Sequence, residues 1–209
     1  MHRRRWGALA LGGIAAGLVT ANRLARSWGA TEAEREAIYP GDDLVPNPRL
    51  RTTRAVEIAA TPEQIWPWVA QLGVGRGGVE GGPFFKLLVN RGQGPPAKAP
   101  LAEFQNIAEG DVIDVSTSIF LQVVKVDQPN CLVLVSDRRN FVSHPFAANY
   151  SVNIQASGPV SSRVVIRENV DWSTSMIGVV VKAGDYLKGY IVPALLAAMK
   201  RNVEAWETR

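Results

Sequence analysis

Between Thr53 and Gly78 (TRAVEIAATPEQIWPWVAQLGVGRGG) the period of the apolar positions changes from two to that of a helix. Val56 and Ile58 alternate with Glu57 and Ala59, which predicts a strand with one buried face. Ile65, Trp66, Val69, Ala70 and Leu72 then line one side of a helix. Thr61 stands at the N-cap, Pro62 at the first helical position and Gln64 three residues after the cap. In that capping-box order the Thr oxygen accepts an early backbone N–H while the Gln side chain reaches back to the cap. Gly73 is the expected end of the helix.

Downstream, Phe84–Val89 (FFKLLV) predicts a second short helix, and residues 92–100, with three prolines, a loop. Short strands are expected over Asp111–Val115, Phe120–Val126, Cys131–Ser136, Asn149–Gln155 and Arg163–Asn169, separated by turns such as Asp127-Gln128-Pro129-Asn130. This spacing predicts an antiparallel meander. From Asp185 onward, Leu187, Ile191, Leu195, Ala198, Met199, Val203 and Trp206 recur at helical spacing, with Pro193 expected to bend the helix.

The N-terminal part has a different pattern. Arg3-Arg4-Arg5 precedes Trp6–Ala21, a run of sixteen uncharged and mostly apolar residues. At 1.5 Å per residue such a helix is roughly 24 Å long, short of a hydrocarbon core of about 30 Å. Continuing to Leu24 with Arg23 reaching the interface narrows that gap. Residues 1–26 are therefore read as a membrane anchor with a single N-terminal span. Its rival is a signal peptide cleaved near Val19-Thr20-Ala21, which would leave a secreted domain. Arginines on both sides leave the sidedness open. Residues 27–51 read as a linker with a short helix capped by Thr31, and residues 52–209 as one folded domain.

The stretch IAATPEQIWPWVAQLGVGRGG, together with WGATEAE (Trp28–Glu34) and PGDDLVP (Pro40–Pro46), resembles the SRPBCC superfamily, which includes START and polyketide cyclase/dehydrase proteins. It is most similar to the membrane-anchored members common in actinobacteria. Val79–Arg91 (VEGGPFFKLLVNR) stands where the family pattern has an aromatic-rich segment. The resemblance implies an α+β helix-grip (START-like) fold, a curved antiparallel sheet around a long C-terminal helix with an apolar cavity between them. It does not imply one activity.

The net charge of +4 divides unevenly: residues 1–30 hold five arginines and no acid, which leaves the remainder at −1. A near-neutral domain lacks the electrostatic footprint for nucleic acid, so the basic end points to a membrane surface. Cys131, the single cysteine, excludes an intrachain disulfide and reads as a small core residue. The two histidines, His2 and His144, make no metal-ligand pair with it, and neither a metal nor a cofactor is expected. Gly73–Gly78 fits GxGxxG formally but follows a helix, the wrong context for a dinucleotide.

Arg76 is the polar handle of that loop, either for a carboxylate or phosphate head group or for a neighbouring acid. Two function classes follow. One is a module binding a small hydrophobic ligand such as a lipid or polyketide, with Trp66, Arg76, Phe84, Phe85, Phe120, Phe141, His144, Tyr150, Trp172, Tyr186 and Tyr190 as cavity candidates. The other is a cyclase- or dehydratase-like enzyme using Arg76, His144, Glu168 or Asp171. Glu168 is expected on the solvent face or paired with Arg163 or Arg167. An interaction domain with a filled cavity is a third possibility. The sequence favours binding because it holds no dense polar cluster; it leaves the catalytic residues and the oligomeric state unknown.

Overall fold

The computed structural model describes residues 24–77, 97–116, 119–136 and 146–208. The expected apolar helix over residues 6–21 and short helix over residues 84–89 lie outside them. Among the described residues no helix is long and apolar enough to cross a membrane.

In chain order the elements are α1 (Glu32–Glu36), β1 (Leu50–Ile58), α2 (Pro62–Ala70), β2 (Val112–Ser116), β3 (Ile119–Asp127), β4 (Cys131–Ser136), β5 (Phe146–Gly158), β6 (Ser161–Trp172) and α3 (Ser175–Glu207). The strands form one antiparallel sheet in the order β1-β6-β5-β4-β3-β2. Sheet and long C-terminal helix together make the α+β helix-grip architecture. Successive strands from β2 to β6 are neighbours, as a meander requires; the first strand closes onto the last.

Both predicted caps form: Thr31 with Glu34 before α1, and Thr61 with Gln64 before α2. The last two strands run longer than expected, Phe146–Gly158 and Ser161–Trp172, and two helix boundaries also differ. The second helix stops at Ala70, three residues before Gly73. The final helix begins at Ser175, ten residues before Asp185, and contains Pro193. Its first turns carry Gly178, Gly184 and a Val179-Val180-Val181 run, all poor helix formers, so local propensity gave no sign of them. Packing decides the matter. Thr174 Oγ1 accepts the Ile177 N–H at 3.4 Å, and Gly178 lies so close to the Trp172 indole that any side chain there would collide.

The core lies on the sheet face covered by α2 and α3. Its main cluster joins Ile65, Trp66, Trp68 and Val69 of α2 to Leu196, Met199 and Val203 of α3 over Ile58, Leu132, Val152, Ile154 and Val164. A second cluster, Leu50, Ala148, Val170 and Trp172 with Phe146, Ile177 and Val181, fills the space under the first turns of α3.

The opposite face of the sheet is covered by residues 24–49, the stretch read as a linker. This strap first follows the free edge of β1, where the Ala55 N–H donates to the Trp28 carbonyl at 3.0 Å and removes an exposed edge. It then crosses the back. Arg167 is buried there, stacked 4.9 Å from the Tyr39 ring, and donates to the carbonyls of Arg35 (3.2 Å) and Ala37 (2.5 Å). Arg163 pairs with Glu34 at 2.8 Å, and the Asn169 amide donates to Asp42 at 2.7 Å. Arg49, donating to the Trp172 carbonyl, closes the strap just before β1.

Candidate functional site

Side chains alternate across a strand, and directly paired antiparallel residues share a face. Thr52 of β1, Glu168 of β6 and Tyr150 of β5 are paired in one row. Continuing inward from Ile58 and Val56, the same face carries Arg54 and Thr52 before reaching Leu50. On β6 the order is Val164, Ile166, Glu168, Val170, Trp172. On α3, Lys188 and Asp185 stand three residues apart, between Val192 and Val181 of the two apolar clusters. Sheet and helix therefore have a charged layer at the same level, between the main core and the second cluster. Tyr150 packs against both clusters and marks their junction.

The layer is tightly paired. Lys188 Nζ bonds Glu168 Oε1 and lies 5.8 Å from the Tyr150 ring centroid. Arg54 Nη1 donates to Thr52 Oγ1 at 2.8 Å and lies 3.8 Å from Glu168 Oε2; Thr52 Oγ1 in turn bonds that oxygen at 3.2 Å. Arg54 Nη2 faces Asp185 Oδ1 at 3.8 Å, beyond hydrogen-bond reach, and has no hydrogen-bond partner. Asp185 Oδ2 is held by Arg26 Nε at 2.7 Å, and Arg54 Nε donates to the Ala25 carbonyl at 2.8 Å. The strap thus reaches the front of the sheet as well as the back.

Burial and pairing compete in setting the charge states. Burial favours a neutral Glu168, but Lys188, Arg54 and the Tyr150 hydroxyl outweigh it and hold the carboxyl below its usual range. Burial likewise opposes the Lys188 ammonium, yet Tyr150 and Glu168 push its pKa up. The Tyr150 phenol is raised, chiefly by burial. Arg54 is lowered by burial against the pull of Glu168 and Asp185. At neutral pH the layer holds Glu168 as carboxylate, Lys188 as ammonium and Tyr150 as phenol.

The sequence-derived candidates distribute unevenly around this layer. Tyr150 is within it, and Trp172 lies beside it in the second cluster, with Lys182 Nζ 5.9 Å and Arg49 Cζ 5.6 Å from its ring. Trp66 is buried in the main core. Phe120 is partly buried on β3, the second strand from the far edge of the sheet. Tyr186 and Tyr190 are exposed on the outer side of α3 (41% and 67%), away from the layer. Phe84, Phe85, Phe141 and His144 lie outside the described residues.

Arg76 caps α2 by donating to the Ala70 carbonyl at 3.0 Å and stacks 4.6 Å from the Phe104 ring, while its Nε is buried without a hydrogen-bond partner. Asp171 points to the back, ion-paired with Arg49 at 3.3 Å. The solvent-face expectation for Glu168 is corrected: it is 2% exposed and its partners are Lys188 and Arg54, because it has the inward parity of Ile166 and Val170 while Arg163 and Arg167 have the outward one. Arg54, Asp185 and Lys188 went unrecognised as site residues. Counting the strand parity back from Val56 would have found Arg54. Cys131 is buried, and burial pushes its thiol up to about 11, which suits a packed residue and not a nucleophile. Among the described residues no group of three His, Cys, Asp or Glu is placed to hold a metal ion.

No family model and no curated protein sequence matches the chain. Solved structures similar to it include norcoclaurine synthase from Thalictrum flavum, at 11% identity and a TM-score of 0.46, covering 76% of this chain and 96% of that one. A START superfamily protein from Mycobacterium smegmatis gives 16% identity and a TM-score of 0.43 over 72% of this chain and 97% of that one. CalU16 from Micromonospora echinospora gives 15% identity and a TM-score of 0.36 over 76% and 86%.

Proposed function

We propose that this chain is a helix-grip binding module that takes a small hydrophobic molecule between its sheet and α3 and is held at a membrane by residues 6–21. The observation that carries the reading is the charged layer of Arg54, Glu168, Lys188 and Asp185 set between two apolar clusters. A core built only for stability gains little from buried ion pairs, since apolar side chains of similar volume serve as well or better. A ligand site, in contrast, needs an apolar wall with a few convergent polar groups that fix orientation. Arg54 Nη2, buried without a hydrogen-bond partner, suits an acceptor oxygen on such a ligand. The resemblance to SRPBCC proteins points the same way, to lipids or polyketides as the ligand class.

Within the charged layer the charge states favour binding over acid–base chemistry. General acid–base work needs a group that gains or loses its proton near the operating pH. In the layer Glu168 is held ionised and the Tyr150 phenol and Lys188 ammonium are both held protonated, so none is poised for that exchange.

The test is solvent extraction of the full chain purified in a mild detergent from its producing cells, followed by mass spectrometry of the extract. A hydrophobic compound at near-stoichiometric yield, reduced at least fivefold in Thr52→Val, carries the binding reading. An empty extract from a chain that also refuses fatty acids, phospholipids and polyketides returns the filled-cavity interaction domain.

A further inference from the structure

The outer face of the first half of α3 has the wrong chemistry for water. Met176, Val179, Val180, Leu187 and Tyr190 are 78%, 68%, 57%, 45% and 67% exposed. At about 100° per residue, these five fall within roughly 100° of arc on one side of the helix, and Tyr186 widens it to roughly 120°. The stripe is about 21 Å long at 1.5 Å per residue. It contains no charge: Lys182 flanks it, while Asp185 and Lys188 turn toward the sheet. An apolar stripe of this length on a surface marks a contact.

The course of the chain indicates what the contact is. Arg26 is fixed to Asp185, in the middle of the same helical segment, and Ala25 is fixed to Arg54. Ala21, the last residue of the apolar run, is five residues from Arg26, at most about 18 Å of extended chain. Residues 6–21 carry no charged side chain. Laid on α3, they would cover one stripe and expose another; lipid covers both. The charge that flanks the stripe on the outer side of the helix is basic, Lys182, while Asp185 within the segment is paired with Arg26.

We propose that the outer face of α3, from Met176 to Tyr190, lies in the interface of an anionic lipid bilayer, set there by the Arg26–Asp185 clamp. This placement rests on the tethered reading above. It puts the helix that closes the charged layer against the lipid, so a hydrophobic ligand would pass between bilayer and interior without crossing water.

The test uses the full chain reconstituted in phosphatidylcholine vesicles containing phosphatidylglycerol. Val180→Cys and, separately, Tyr190→Cys carry an environment-sensitive fluorophore, and Val160→Cys in the β5–β6 turn, 70% exposed, serves as reference. Shallow brominated lipids are expected to quench the Val180 and Tyr190 labels at least threefold more than the Val160 label. A chain that floats with the vesicles but is quenched equally at all three positions overturns the placement and leaves the tether standing. A chain that fails to float overturns the tether and the placement together. Oxidative cross-linking between Val180→Cys chains in place of quenching identifies a second copy as the occupant and also overturns it.

Discussion

The two faces of the sheet each bury an arginine against the same strap and use it differently. On the back, Arg167 stacks on Tyr39, donates to the carbonyls that end α1 and faces the single carboxylate of Asp42 at 3.7 Å. On the front, Arg54 sits among three charged side chains, Glu168, Asp185 and Lys188. The back is a clasp built mainly on backbone carbonyls. The front is a charged layer in an apolar interior, where any missing charge is felt by its neighbours. Buried charge alone therefore does not mark a site; what sets the front apart is the gathering of four charged side chains between two apolar clusters.

The comparison breaks most sharply at Lys188. Lys188→Met keeps an unbranched apolar stem as far as Cε and removes the ammonium, leaving Glu168 buried with Arg54 at 3.8 Å. Urea unfolding should show a loss of about 3–5 kcal/mol, the usual cost of breaking a buried pair from one side. Adding Glu168→Gln should restore most of it, to within about 1–2 kcal/mol of the parent. An equal loss in the double variant would mean that the lysine stem and not its charge matters.

On the back, Arg167→Met should cost less, about 2–3 kcal/mol, because the carbonyls it leaves can turn to water once the strap loosens and Asp42 keeps its bond from Asn169. Limited proteolysis should then cut near Ile38, already 91% exposed, several times faster. Extracted ligand per folded chain should be unchanged, since Arg167 faces away from the layer. A parallel loss of ligand would join the two faces into one functional unit.

Acid acts more gently, since protonation removes the Glu168 charge without leaving an orphan anion. Its folded pKa lies below the ordinary 4.5, so its contribution is present above that value and is lost as pH falls through the folded pKa. Glu34, also lowered, adds a share on the back through Arg163. Melting temperature should fall as pH drops below about 4.5. Glu168→Gln should flatten that fall more than Arg167→Met does, since Arg167 faces one carboxylate, Asp42, across 3.7 Å. Identical profiles for Glu168→Gln and the parent would place the acid sensitivity elsewhere.

Much of the frame was legible in the sequence. The strand–cap–helix run of β1 and α2, the meander and the second half of α3 follow from periodicity, cap chemistry and turn residues. The first half of α3 was not, because Gly178 and a valine run argue against a helix until Trp172 supplies the surface that Gly178 needs. The aromatic candidates show the same limit. Tyr150 and Tyr190 look alike in sequence, yet register puts one in the charged layer and helix phase puts the other outside. Arg54 and Glu168 were readable by strand parity, but their partners Asp185 and Lys188 come from a distant helix. Only tertiary structure brings the four together.

The strap joins the two faces at one point, and Gly29 tests that joint with the smallest expected effect. It has φ of +68°, where residues with a side chain are strained, and a Cβ there would run into the Ala55 carbonyl oxygen at the edge of β1. Gly29→Ala should therefore cost about 1–2 kcal/mol and weaken the Ala55–Trp28 bond that holds the strap to the sheet edge. Hydrogen exchange at the Ala55 amide is the direct readout. Faster exchange there, with protection retained in the amides of β5 and β6, would mean that the strap opens at the edge while the sheet stays closed. Faster exchange in β6 as well would mean that clasp and charged layer unfold as one, and the two faces would differ in chemistry but not in cooperativity.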